Sequence, residues 1–253
     1  MSGEDSNDWD PVSYDSMPLP HLRWGDRVLS ALHPMPTDLV LDAGCGTGRD
    51  TAKVLAIVTS GGVIALDKSS SMLKALRSKV GDNERLEVVM GDLGSELELN
   101  YRCDAAFSVA ALHWVKDHQV AFSNLFRMLK PGGRLVFDCG GRGNIASIEG
   151  ALRSLPGQRL QYDIWNFAGA LETKENLIKA GFTDITVELI KDTIQIDDKK
   201  VFEKYISTLV LPFHLAQLKV DEQAAFLEDV LDRLPSQEID YVRLFAKATR
   251  PST

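Results

Sequence analysis

No apolar run in this chain approaches the roughly twenty residues that span a bilayer, and its opening stretch MSGEDSNDWD is acidic and polar, unlike a secretory signal or transit peptide. A cytoplasmic chain without membrane contact is expected. Cysteine is scarce: Cys45, Cys103 and Cys139 are odd in number, far apart and set in apolar sequence. That argues against a disulfide framework or a metal site and reads as reduced, buried thiols. Basic residues do not predominate either. With a net charge of -8, no general field draws the chain to phosphate backbones or anionic lipid, so a small molecule is favoured over nucleic acid as substrate. Repeats and low-complexity segments are absent, and residues 1–253 read as one unit, long enough to bury its own core.

What is present is a regular alternation of two periodicities. DLVLDAG (38–44) is a short apolar run stopped by glycine, and RDTAKVLAIVTS (49–60) carries Ala52, Leu55 and Val58 on one helical side. GVIALD, RLEVVMGD, CDAAFSVA and GRLVFDCG read as further strands. KSSSMLKALRSKVG reads as a serine-capped helix ended at Gly81, and QVAFSNLFRMLK as a helix stopped by Pro131 and Gly132. Strands alternating with helices imply a parallel sheet covered on both faces, and right-handed crossovers make it a doubly wound α/β sandwich. Later the order loosens. GNIASIEGALRSL and ETKENLIKAGF read as helices, DITVELIKDTIQI and DYVRLFAKATR as two late strands. About forty mostly helical residues part those strands, long for a plain connection; residues 197–239 are the candidate cap over a substrate pocket.

Gly44, Gly46 and Gly48 in VLDAGCGTG follow a strand and open a helix, where backbone must turn with positive φ or approach a ligand closely. A pyrophosphate loop would be spaced G-x-G-x-x-G, but the sixth position here is Arg49, which argues against a dinucleotide. Asp67 ends the second strand, 19 positions beyond Gly48, where a carboxylate accepts from both ribose hydroxyls. Asp92 closes the third strand in VVMGDL, within reach of an adenine amino group, and Leu93 adds a backbone N–H and apolar surface. Together these acids point to an adenosine bound without phosphates.

VLDAGCGTG, ALDKSSSML, GDL, FSVAALHWVKDH and LKPGGRLVF, in that order over residues 38–138, resemble the class I S-adenosylmethionine-dependent methyltransferases. A narrower likeness, carried by WDPVSYDSMPLPHLRWGDRVLSAL, ALHWVKDH, DEQAAFLEDVL and YVRLFAKATR, is to the trans-aconitate 2-methyltransferase family. The resemblance implies a seven-stranded Rossmann-like sheet of order 3-2-1-4-5-7-6 with the seventh strand antiparallel. It also implies S-adenosylmethionine as cofactor, S-adenosylhomocysteine as product, and an N-terminal segment, 1–30, folded over the cofactor. Two features depart from that family. His113 stands where it usually has glutamine, and DCGGRGN replaces a short Met-Pro type turn, which leaves the acceptor open.

On that footing Gly44 and Gly46 fall to the methionine moiety, Asp67 to the ribose, Met72 to the adenine face, Asp92 and Leu93 to the adenine edge, and Val109 or Ala110 to the strand-four backbone. Trp24 lies at the methionine end or shapes the methyl channel. For the acceptor, Arg23 offers a bidentate fork and His113 a tunable donor to a carboxylate. Tyr14 adds a hydrogen bond, Trp114 walls or anchors the loop, and Arg142 lines the far side, with Trp165 and His214 as further candidates there. A carboxylate is already ionised at pH 7, so positioning carries the catalysis and no general base is nominated. Two other readings stay open: a methyltransferase acting on a hydroxyl or amine of a hydrophobic metabolite, and a cofactor-binding assembly protein. Monomer and dimer are both open.

Overall fold

Short apolar runs that end in an acid or a glycine make the strands, and the amphipathic stretches between them return the chain to the same edge. The computed structural model describes residues 8–17, 21–156 and 164–253. Strands β1 (Leu39–Ala43), β2 (Gly62–Asp67), β3 (Leu86–Met90), β4 (Cys103–Val109) and β5 (Leu129–Gly140) pair in parallel. The last strand, β7 (Val242–Thr249), runs antiparallel between β5 and β6 (Thr183–Lys191). The order across the sheet is therefore β3-β2-β1-β4-β5-β7-β6, the doubly wound order expected from the sequence.

Successive side chains of a strand point to opposite faces, and β1 uses both. Val40 packs with Val28 and Leu32 of α2 (His21–Leu32) and Val54 of α3 (Arg49–Ile57). Leu41 packs on the other face with Phe122 and Leu125 of α5 (His118–Met128) and Leu177 of α7 (Ala170–Ala180). Helix α4 (Ser70–Val80) begins where the Ser69 hydroxyl accepts from the Met72 N–H at 3.1 Å, and ends at Gly81 with φ 71°. Helix α5 is capped by Asp117, whose carboxylate accepts from the N–H groups of Gln119 and Val120.

Two boundaries differ from the sequence reading. Helix α5 stops at Met128, and Pro131 and Gly132 lie inside β5 rather than before it. Proline has no N–H for the ladder and Gly132 turns with φ 78°, so the pairing jumps from Cys103 with Leu129 to Ala105 with Arg134. Arg250 closes the bulge: its carbonyl accepts from Gly132 and its N–H donates to Gly133, both at 2.8 Å. The run DITVELIKDTIQI breaks at Asp192. There the N–H turns to the Tyr241 carbonyl at 2.9 Å, and Ile194–Gln195 pairs with Glu238–Ile239 in a separate two-residue ribbon.

That ribbon closes the base of the expected cap. Above it lie α8 (Lys199–Tyr205), a π turn (Ile206–Val210), α9 (Pro212–Leu215) and α10 (Val220–Leu231). Pro212 cannot donate to the helix ladder, and the Leu211 N–H reaches back five residues to the Ile206 carbonyl at 2.8 Å. Phe202, Tyr205, Ile206, Phe226 and Val230 of these helices form a core of their own with Ile148 and Leu152 of α6 (Ala146–Arg153) and with Trp24. Of the 1–30 segment, α2 packs against β4 and β5. The part laid over the carboxyl edge is residues 8–17, with α1 (Pro11–Asp15) tied down where Asp15 accepts from Thr47 at 2.7 Å and Lys79 at 2.6 Å.

His214 is buried in the cap, its ring 4.9 Å from that of Trp165. Burial penalises the imidazolium and pushes its pKa down to about 4. The unfolded chain recovers a value near 6.5, so stability held above that pH is lost as pH falls from about 6.5 to about 4, by up to about 3 kcal/mol. Urea denaturation at about pH 7 and about pH 4.5 checks this: His214→Phe should flatten that part of the profile, and an unchanged profile would refute the assignment.

Candidate active site

β1 delivers the chain to a loop in which Gly44, Gly46 and Gly48 all have left-handed φ, at 83°, 53° and 80°. The N–H groups of Gly44 and Cys45 both donate to the Leu66 carbonyl, at 2.7 and 3.0 Å, which pins the loop to the end of β2. A Cβ on Gly44 would sit 2.3 Å from that of Ala111, whereas one on Gly46 would meet nothing within 4 Å. Gly46 thus turns bare backbone to open space. Asp67, closing β2, accepts from the Gly46 N–H at 2.8 Å and from the Ser69 N–H at 2.9 Å. Burial pushes its carboxyl pKa above the ordinary value, against the pull of those two hydrogen bonds.

The loop opens into a cleft along the carboxyl ends of the strands. Gly44, Gly46, Asp67, Met72, Asp92 and Leu93 line the half over β1, β2 and β3. Val109 and Ala110 lie at the middle, where Ala110 leaves β4 with φ 55° and donates its N–H to the Asp138 carbonyl at 2.7 Å. His113, Trp114, Trp165, Phe167, Leu209, Val210, Tyr241 and Arg243 line the half over β4, β5 and β7. Trp9 and Tyr14 cover the cleft from the N-terminal segment. Asn166 holds the far wall in place: its N–H donates to the His113 carbonyl at 2.8 Å and its amide to the carbonyls of Val115 and Lys116.

Thirteen of the residues singled out in the sequence meet around this cleft: Tyr14, Trp24, Gly44, Gly46, Asp67, Met72, Asp92, Leu93, Val109, Ala110, His113, Trp114 and Trp165. Arg23, Arg142 and His214 do not line it. The Arg23 side chain is 55% exposed and bonded to Asp192 at 2.6 Å, on the carboxylate freed where β6 breaks. Arg142 is 70% exposed and held at 3.1 Å by Glu172 in the first turn of α7. Trp24 lies at the β7 side, its indole N–H on Asp192 and its ring 5.1 Å from that of Tyr241.

The cation in the β7 half of the cleft, among the described residues, is Arg243, 1% exposed. Its Nε donates to Asp138 at 2.8 Å and its guanidinium lies 3.6 Å from the Trp24 ring centre. Arg27, its side chain 30% exposed to solvent, takes the other oxygen of Asp138. His113 stands nearby: its Nδ1 accepts from the Gly140 N–H at 3.3 Å, and Gly140 is the ladder partner of Arg243. With Nδ1 accepting, a neutral ring carries its proton on Nε2, a donor. The signal for Arg243 and Asp138 was a charge set inside otherwise apolar strands, LVFDCG and YVRLFAKATR, where burial without a partner is rare.

The three cysteines are free and buried, and burial pushes the thiols of Cys103 and Cys139 up to about 12, far from a reactive thiolate. Among the described residues no cluster suits a metal ion, and no helix is long and apolar enough to cross a membrane.

Residues 41–137 match the family described as a methyltransferase domain. That stretch, from β1 into β5, is similar to a methyltransferase domain. It is 28% identical over 179 residues to a malonyl-[acyl-carrier protein] O-methyltransferase of Methylococcus capsulatus, covering 70% of this chain and 64% of that one. It is 32% identical over 131 residues to a trans-aconitate 2-methyltransferase of an Acidovorax species, covering 51% and 49%. The match thus spans less than two thirds of the length of these relatives. A methyltransferase-named structure from Bacillus halodurans superposes over 90% of this chain and 98% of its own with a TM-score of 0.64 at 17% identity. Phosphoethanolamine N-methyltransferase 2 of Haemonchus contortus, solved with S-adenosylhomocysteine, superposes over 90% and 52% with a TM-score of 0.60 at 22% identity. Both share the fold, and in this chain the glycine loop opens the β1–β3 half of the cleft.

Proposed function

We propose that this protein transfers the methyl group of S-adenosylmethionine to a carboxylate oxygen of a small organic acid. The observation that carries this reading is Arg243, a buried guanidinium on the wall of the cleft beside His113, anchored through Nε to Asp138. A guanidinium held by one edge can offer a carboxylate its remaining donors. Relatives are named for trans-aconitate and malonyl acceptors, both of which carry carboxylates.

The residues present fit the cofactor. Asp67 accepts the ribose hydroxyls, Met72 and Leu93 flank the adenine with Asp92 at its edge, and Gly46 admits the amino-acid end against bare backbone. When bound, S-adenosylmethionine supplies an electrophilic methyl carbon. Arg243 and His113 hold one oxygen of the acceptor and aim the other along the line of attack. With the acceptor already ionised at pH 7, no residue of this chain would have to take a proton. The ester has no charge, so Arg243 releases it. The reaction belongs to the cytoplasm, where three free buried thiols stay reduced.

Calorimetry and mass spectrometry test this reading. The wild type should bind S-adenosylhomocysteine and add one methyl to an organic acid; methyl transfer confined to phenols or amines would overturn the carboxylate assignment. Asp67→Asn should weaken cofactor binding about a hundredfold, since two hydrogen bonds to a charged acceptor are lost or weakened. The cofactor favours the ionised carboxyl, and burial holds its pKa above the ordinary value. Affinity should therefore fall on acidification, at a higher pH than a surface aspartate would give.

A further inference from the structure

We infer that the acceptor is a monocarboxylic acid with an apolar or aromatic body, and that di- and tricarboxylates are rejected. This rests on the carboxylate reading and names the class of acid. Among the described residues, the carboxylates and cations that line the cleft are Asp67, Lys68, Asp92 and Arg243. The first three stand at the ends of β2 and β3, and the charge of Lys68 acts on Asp67. Arg243 alone of the four stands at the β7 end, so a single guanidinium is there to meet a carboxylate.

The walls around it offer little to a second anion. Trp165 and Phe167 stack at 5.7 Å with an interplanar angle of 13°, and Trp114 meets Trp9 edge-on at 5.3 Å. Leu209 and Val210 of the π turn close the roof. Several polar groups on this side are already engaged. The Tyr241 hydroxyl lies 2.9 Å from that of Tyr205, the Asn144 side-chain amide oxygen accepts from the Val242 N–H at 3.0 Å, and the Trp24 N–H goes to Asp192. A second ionised carboxyl would be stripped of water against aromatic rings with no second cation among the described residues of this half to meet it. A hydrocarbon or aromatic body fills the same space favourably, by about fourfold in affinity for each buried methylene.

The test is a panel offered to the intact wild-type protein with methyl-labelled S-adenosylmethionine: straight-chain monocarboxylates of increasing length, phenylacetate, cinnamate, succinate, trans-aconitate, a malonyl thioester, phenols and amines. Ester formation is read by mass spectrometry, and binding to the S-adenosylhomocysteine complex by calorimetry. Monocarboxylates should give the highest kcat/KM, rising about fourfold per methylene until the walls are reached, and exceeding trans-aconitate and succinate by about a hundredfold or more. Leu209→Ala should lower kcat/KM for the longest accepted acid by about tenfold or more and change the shortest little. Preference for trans-aconitate or succinate would overturn the inference and leave carboxylate methylation standing, and preference for the malonyl thioester, a monocarboxylate with a polar body, would overturn the apolar-body assignment. Methylation of phenols or amines alone, or no acid either methylated or bound, would overturn both.

Discussion

Arg243→Met should lower kcat/KM for the acid acceptor by about a thousandfold while S-adenosylhomocysteine affinity stays within a few fold. Methionine fills much of the stem's volume but supplies no donor, and a charge-assisted fork on an anion in a water-poor site accounts for a loss of about 4 kcal/mol. Asp138 is not orphaned, because Arg27 still holds its other oxygen. That separates this variant from the usual case in which removing one partner strands a buried charge. The fold should survive with a lower denaturation midpoint, reflecting the lost Nε bond and the lost contact over Trp24. Arg243→Lys keeps the charge without the planar fork, and should recover acceptor binding more than kcat. Steady-state kinetics with the acid, together with calorimetry for the cofactor product, separate these effects. A folded Arg243→Met variant with kcat/KM within tenfold of wild type would remove Arg243 from the acceptor site.

The second large effect is expected at Gly44. Gly44→Ala places a Cβ 2.3 Å from that of Ala111 at a φ of 83°, combining left-handed strain of about 1–2 kcal/mol with overpacking of about 1–3 kcal/mol. The loop has no slack to relieve the clash, since its two N–H groups share the Leu66 carbonyl at 2.7 and 3.0 Å. Ala111 has little either: it follows Ala110 in its own left-handed conformation and leads directly to His113. Stability should fall by about 2–5 kcal/mol, and affinity for S-adenosylhomocysteine by about a hundredfold or more, because the displaced backbone is the proposed cofactor contact. Gly46→Ala makes the contrast. Its Cβ meets nothing within 4 Å, so stability should drop by only about 1 kcal/mol while cofactor binding still suffers. Chemical denaturation and calorimetry on the pair decide the point; equal stability losses would mean that the close approach of Gly44 to Ala111 does not govern the loop.

The strands were readable because each is a short apolar run whose ends are marked locally, by glycine in VLDAG and by aspartate in GVIALD and CDAAFSV. Boundaries failed where a distant partner decides them. Pro131 and Gly132 looked like a helix stop, yet the carboxyl-terminal Arg250 draws them into a bulge of β5. Asp192 looked like part of one continuous strand, yet Tyr241 and Trp24 turn it aside.

The same division runs through the site. Gly44, Gly46, Asp67 and Asp92 sit at strand ends within one βαβ stretch, where turn geometry and strand polarity assign them without reference to the rest of the chain. Those positions, the sheet order and the glycine-loop half of the cleft are legible in the sequence alone. Which arginine lines the cleft is not. Arg23, Arg142 and Arg243 each stand in a plausible setting in the sequence, and what separates them is the partner each meets: an exposed Asp192 pair, an exposed Glu172 pair, or a fully buried Asp138 lying 105 positions away. A cation's role follows from its desolvation and its counter-charge, and both are set by which strands and helices pack together, a long-range outcome that no local pattern records.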